Sequence, residues 1–136
     1  IRDGDKLKIR ISSINFAPYK ADIILDSSEQ GVKNDRILRR LAEILNKYRS
    51  YKIRVEGHAV SEYWNFPKRA EQEEKEELNP LSKARAEAVK EQLIRRGTEA
   101  LRLSTVGLGG TIPIVPHGDL QNRWKNRRVE FILIKP

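Results

Sequence analysis

The sequence predicts a single two-layer α/β (α+β) domain over residues 1–136, with a mixed four-stranded sheet, helices packed on one face and the order βαβαββ. Three observations predict it. The hydrophobic period alternates between two and about 3.6 along the chain. Turn and cap residues fall where the period changes. The 136 residues, 38% of them hydrophobic, supply one core and not two.

Leu7, Ile9 and Ile11 alternate with Lys6, Lys8 and Arg10, so Lys6 to Ile14 reads as a half-buried strand. After Asn34 the apolar residues Ile37, Leu41, Ile44, Leu45 and Tyr48 line one stripe of a helix predicted from Asp35 to Arg49. From Tyr51 the period returns to two, with Ile53 and Val55 facing one way, and Gly57 releases the chain from the strand. Residues 61–78 read as an insertion, opening on Tyr63, Trp64 and Phe66 and passing into an acidic-rich segment able to form a solvated helical turn or two. Asn79-Pro80 predicts the start of a second long helix, because Asn can accept from first-turn amides and Pro there loses no hydrogen bond. Leu81, Ala84, Ala88, Val89 and Leu93 form its buried stripe, and Gly97 ends it. Leu103 to Val106 is a third strand, followed by a Gly- and Pro-rich loop to Gly118. The last strand, Arg128 to Ile134, carries apolar residues on both faces over part of its length, as a central strand does.

Composition excludes several functions. Without cysteine there are no disulfides, thiolate metal sites or cysteine nucleophiles. His58 and His117 are the only histidines, too few to anchor a metal without distant carboxylates, so no metal or other cofactor is expected. Ser82 sits in Pro-Leu-Ser-Lys, without a nucleophile elbow, and is expected to hydrogen-bond in the first helical turn. Gly107-Leu108-Gly109-Gly110 follows a strand without opening a helix and reads as a turn, not a phosphate loop. No apolar run reaches the roughly eighteen residues of a membrane span. The chain opens at Ile1 and lacks methionine, so any signal or anchor is expected in segments outside it.

The net charge of +8 favours an anionic partner, and its distribution is uneven. Lys68 to Glu77 holds three basic and five acidic residues, while Gln121 to Pro136 holds five basic and one acidic. The run from Asn122 to Arg128 interleaves Trp124 with four cations, the composition of a nucleic-acid-binding segment.

Four spaced motifs resemble the OmpA-like domain of outer-membrane porin-like proteins, Pal-type lipoproteins and MotB-type stators. They are Ile14-x-Phe16, Ile53-x-Val55-x-Gly57-His58, Leu81-Ser82-x-x-Arg85-Ala86 and Asn126-Arg127-Arg128-Val129. The resemblance runs from about Leu7 to Leu133 and assigns Asn126 to Val129 to a final-strand motif, which argues against nucleic acid. It implies a non-catalytic domain that grips the free amino and carboxyl groups of diaminopimelate in the peptidoglycan stem peptide. Arg85, near a helix start, suits a carboxylate through its forked donors and the positive helix end. By resemblance Arg127 or Arg128 is the second cation, and Asn79 and His58 complete the expected ligand-binding set.

The departures matter as much. Where the family has Gly-His-Thr-Asp, this chain has Gly57-His58-Ala59-Val60, losing the acid that meets the ligand's ammonium. Ala17 replaces the acid expected after Phe16, and Leu78 stands at the family's Asn position, with Asn79 displaced by one. Such a loss should weaken diaminopimelate binding at least about tenfold. A different diamino acid, such as ornithine, would reconcile a kept fold with a lost acid. The sequence thus points to a periplasm-facing domain at the inner face of a diderm outer membrane, associating a larger protein with peptidoglycan through a divergent pocket. The alternative is a domain that has lost wall binding and serves as a structural or interaction module. Tyr63, Trp64 and Phe66 would then contact an envelope protein, or else fold back over the altered pocket. The oligomeric state stays open.

Overall fold

A computed structural model describes residues 2–3 and 6–134 of the chain, with side chains from Ile14 onward. Among these residues the strands are β1 (Arg2–Asp3), β2 (Lys6–Asn15), β3 (Lys52–Gly57), β4 (Leu103–Gly107) and β5 (Arg128–Ile134). The helices are α1 (Glu29–Lys47), α2 (Pro67–Glu73) and α3 (Asn79–Arg95). The sheet order is β1-β2-β5-β3-β4, with β3 and β4 parallel and the other pairs antiparallel. The four predicted strands are β2 to β5, and the two-residue β1 extends one edge. The alternation predicted for Leu7, Ile9 and Ile11 lies outside the described side chains.

Register explains the core. Ile53 pairs with Leu133 and Val55 with Phe131, so these residues share one face. That face packs on Leu38, Leu41 and Leu45 of α1 and Ala86, Val89 and Leu93 of α3, which places both long helices on the same side. Each large side chain buried there stabilises by about 1.5–3 kcal/mol. The opposite face of β5 is apolar over part of its length, as expected: Ile132 and Ile134 are apolar, whereas Arg128 and Glu130 are buried and charged. Register sets Glu56 opposite Glu130, a repulsive pairing that Arg54 at 3.1 Å from Glu56 and Arg128 at 2.6 Å from Glu130 offset.

Two boundaries differ from the periodicity reading. Helix α1 starts at Glu29, not Asp35, because Ser28 caps it by accepting from the Gly31 amide at 3.1 Å. Its buried stripe is Asn34, Leu38, Leu41, Ala42 and Leu45, whereas Tyr48 is exposed. The second difference concerns the insertion, which does not leave the core as a separate excursion. Helix α2 continues through a π-helical turn, Glu74–Leu78, directly into α3. Asn79 is therefore helical and caps nothing. Its amide bonds to the Glu74 carbonyl across the widened turn. The widening has a cause: within an α-helix the Pro80 ring would strike the carbonyl four residues back, and a π turn relieves such a clash.

Two paired glycines bring α3 onto the strands. A Cβ on Gly57 would lie 1.8 Å from the Ser82 carbonyl oxygen, and one on Gly107 would lie 2.6 Å from the Asn79 carbonyl oxygen. This approach delivers the first turns of α3, and Arg85 with them, to the ends of β3 and β4. Ser82 seals it, donating to the Asn79 carbonyl and accepting from the Gly109 amide, both at 2.9 Å.

Candidate functional site

Beyond the carboxyl ends of β2 and β3 and the amino end of β5, a narrow cleft is lined by Pro18, Tyr19, Val60, Glu62, Leu78, Leu81, Arg85 and Arg127. As it stands it holds about one water molecule. Four segments build it: the stretch after β2, the turn after β3, the start of α3 and the residue preceding β5.

Arg85 organises the floor. Its side chain is 1% exposed, and it donates to the carbonyls of Lys20 at 2.9 Å, His58 at 2.9 Å and Ala17 at 3.2 Å. Its guanidinium also lies 5.1 Å from the centre of the Phe16 ring. A guanidinium has five N–H donors, so three carbonyl bonds leave donors for a ligand. Burial, and secondarily the neighbouring Arg127, push its pKa down to about 10. A buried cation without a carboxylate partner among the described residues carries an unspent attraction for an anion.

Arg127 reaches the cleft from the other side. Its Nε donates to the Phe16 carbonyl at 2.7 Å, and the Phe16 amide returns a bond to the Arg127 carbonyl at 3.3 Å. Asn15 holds the same carbonyl at 3.3 Å, at the irregularity where β2 and β5 change register. Burial first, and then Arg123, lower the pKa of Arg127, while Glu62 raises it.

The other expected site residues lie apart from the cleft lining. Asn79 donates to the Gly107 carbonyl at 2.8 Å, tying α3 to β4. Arg128 is buried against Glu130 and donates to the Ile112 carbonyl at 3.0 Å. His58 is buried with Nε2 3.1 Å from Glu130, close enough for an ion pair but without hydrogen-bond alignment. What His58 gives the cleft is its carbonyl. Of the altered family positions, Val60 and Leu78 are apolar walls, Ala59 bonds through its amide to Gly109, and Ala17 contributes a carbonyl.

The aromatic trio does not line the cleft. Arg69 stacks 4.1 Å over Tyr63, Trp64 packs against Gly118, and Trp64 and Phe66 are both more than half exposed. Tyr19 lines the cleft instead, at φ 62° and 70% exposed. Burial of its hydroxyl end and then the Glu62 carboxylate raise its pKa.

Three residues of this region were missed by sequence reading. Glu73, buried, accepts from the Ser61 hydroxyl at 2.8 Å and the amides of Glu62 at 2.9 Å and Tyr63 at 3.3 Å. His117, in the Gly- and Pro-rich loop, is half-buried, accepting the Ser61 amide at Nδ1 and meeting the Gly110 carbonyl at Nε2. That pattern fits the tautomer with hydrogen on Nε2. Glu62 was the third, hidden beside the aromatic residues that were the legible feature of its stretch.

Among the described residues no group of three or more His, Asp or Glu side chains could hold a metal. None of their helices is long and apolar enough to cross a membrane.

The family model described as the OmpA family matches residues 25–127. The chain is 31% identical over 108 residues to the peptidoglycan-associated lipoprotein of Mesorhizobium japonicum, covering 78% of this chain and 58% of that protein. Over 54 residues it is 43% identical to the peptidoglycan-binding protein ArfA of Mycobacterium tuberculosis, covering 40% of this chain and 17% of ArfA. It thus spans between about a sixth and three-fifths of these relatives' length. Among solved structures, a MotB-like protein from Desulfovibrio vulgaris superposes with TM-score 0.73 at 25% identity, covering 100% of this chain and 77% of that one. The periplasmic domain of Helicobacter pylori MotB gives 0.69 at 26% identity, covering 96% and 73%.

Proposed function

We propose that this chain, which belongs to the OmpA family, is a non-catalytic domain that associates a larger envelope protein with peptidoglycan on the periplasmic side of a diderm envelope. Relatives whose names declare peptidoglycan association support the reading. The observation that carries it is that Arg85 and Arg127 line one cleft, each with guanidinium donors beyond those bonded to backbone carbonyls, as a carboxylate requires. Arg85 is the principal contact in this reading, and Arg127 the second. Because the cleft holds about one water, a stem-peptide carboxylate enters by displacing the exposed Tyr19 side chain. No lining residue pairs a nucleophile with a base in the way acyl or glycosyl transfer requires, so binding without turnover is the role that fits.

A second reading, an interaction module that has left the wall, draws on the exposure of Trp64 and Phe66 beside the insertion. Co-sedimentation with purified sacculi decides between them. Wild-type domain should pellet with the sacculi and Arg127→Met should not. Failure of the wild type to pellet would overturn the proposal and select the interaction module.

A further inference from the structure

Resting on that reading of the cleft, we propose that Glu62 receives the ammonium group of the ligand, so the site recognises an α-amino-acid zwitterion instead of carboxylates at large. The acid missing at Val60 would then be supplied from the insertion, by a residue with no counterpart in the motif.

Glu62 is the only carboxylate among the cleft-lining residues, and it shares the cleft with two guanidinium groups. A ligand bearing an anion alone would meet a like charge there; one bearing adjacent ammonium and carboxylate groups meets a partner for each. The carboxylate is also available. Its side chain is 34% exposed, its ion pair with Arg123 is long, at 3.4 Å, and its other neighbour is the hydroxyl of Tyr19, the side chain that the ligand displaces. The position is nevertheless fixed, because Glu73 grips the backbone on both sides through the Ser61 hydroxyl and the Glu62 and Tyr63 amides. Glu73 is thus a positioning residue for Glu62. Val60, Leu78, Leu81 and Pro18 supply an apolar wall between the charged ends, which suits the methylenes of a diamino acid and limits water.

The test is a titration of the intact domain, followed by NMR or calorimetry, with three probes: meso-diaminopimelate, its bis-N-acetyl derivative and pimelate. Wild type should bind diaminopimelate at least tenfold more tightly than either probe lacking the ammonium. Glu62→Gln should remove that preference, weakening diaminopimelate about tenfold while the other two probes hold or tighten as the like charge is lost, with the urea midpoint unaltered. Val60→Asp added to Glu62→Gln should restore it. Equal binding of all three by wild type would overturn the role of Glu62 while leaving the arginine reading intact. An undiminished preference in Glu62→Gln would do the same. No binding of any probe by wild type would remove both.

Discussion

Replacing Arg85 by methionine tests whether this arginine is chiefly a ligand contact or a staple of the fold. The fall of its pKa to about 10, well below the ordinary guanidinium range, means that holding the charge in place costs about 3 kcal/mol. Methionine removes that cost and keeps a sulfur-to-ring contact with Phe16. Against this stand three lost hydrogen bonds. The one to His58 is buried, and leaving its carbonyl unpartnered costs about 1–3 kcal/mol. Ala17 and Lys20 are exposed, so water can replace the guanidinium at their carbonyls, at about 1 kcal/mol each. The opposing contributions nearly cancel, and urea unfolding should place Arg85→Met within about 2 kcal/mol of wild type while sacculus binding is lost. A pH series adds a signature. The unfolded chain holds this proton more tightly, so wild type should gain on the variant as pH rises past about 10. A loss above about 4 kcal/mol would refute the reasoning and make Arg85 a staple first. Retained binding would refute it from the other side.

Other outcomes are equally definite. Gly57→Ala should destabilise by more than about 3 kcal/mol in thermal melts, because its Cβ would overlap the Ser82 backbone, which cannot swing aside. Glu73→Ala leaves two amides and a hydroxyl without their acceptor, so we expect a loss of about 2–4 kcal/mol and faster proteolysis within residues 61–66. Toward acid, Asp26 is held below its ordinary 3.8 by Ser28, Asp35 by Arg39 and Arg96, and Glu87 below its ordinary 4.5 by Thr105. Lowered carboxylate pKa values stabilise above the ordinary values and cease to do so as pH falls below them. Stability should therefore decline below about pH 4, more shallowly in Asp26→Asn, as measured by urea midpoints across pH 2–6.

The strands were legible because β3 alternates between turn residues and β5 carries apolar residues on both faces, and β5 proved central as that composition suggested. Helix α1 was misplaced because Ser28 to Asn34 offers a cap but no buried apolar stripe, so periodicity alone begins too late. Asn79-Pro80 misled for the opposite reason. Its local chemistry spells a helix start, yet the π turn lets the chain pass through it without stopping. Arg85 and Arg127 could be placed through motif resemblance, whereas Glu62 could not. Its meaning depends on Glu73 folding back on it, a contact across the insertion that no spacing rule encodes.

The continuity of α2 with α3 limits how the insertion can evolve. Along a helix each residue turns the chain by about 100°, so a single deletion between Glu74 and Asn79 would rotate everything upstream to a new azimuth. Glu73 would then face away from Ser61 and Glu62, and Glu74, which accepts from the Gly110 amide at 2.8 Å, would lose its loop. Length variants in this stretch should therefore survive only in steps that restore helical phase. The insertion behaves less like a free loop than like a geared shaft whose two ends must be cut together.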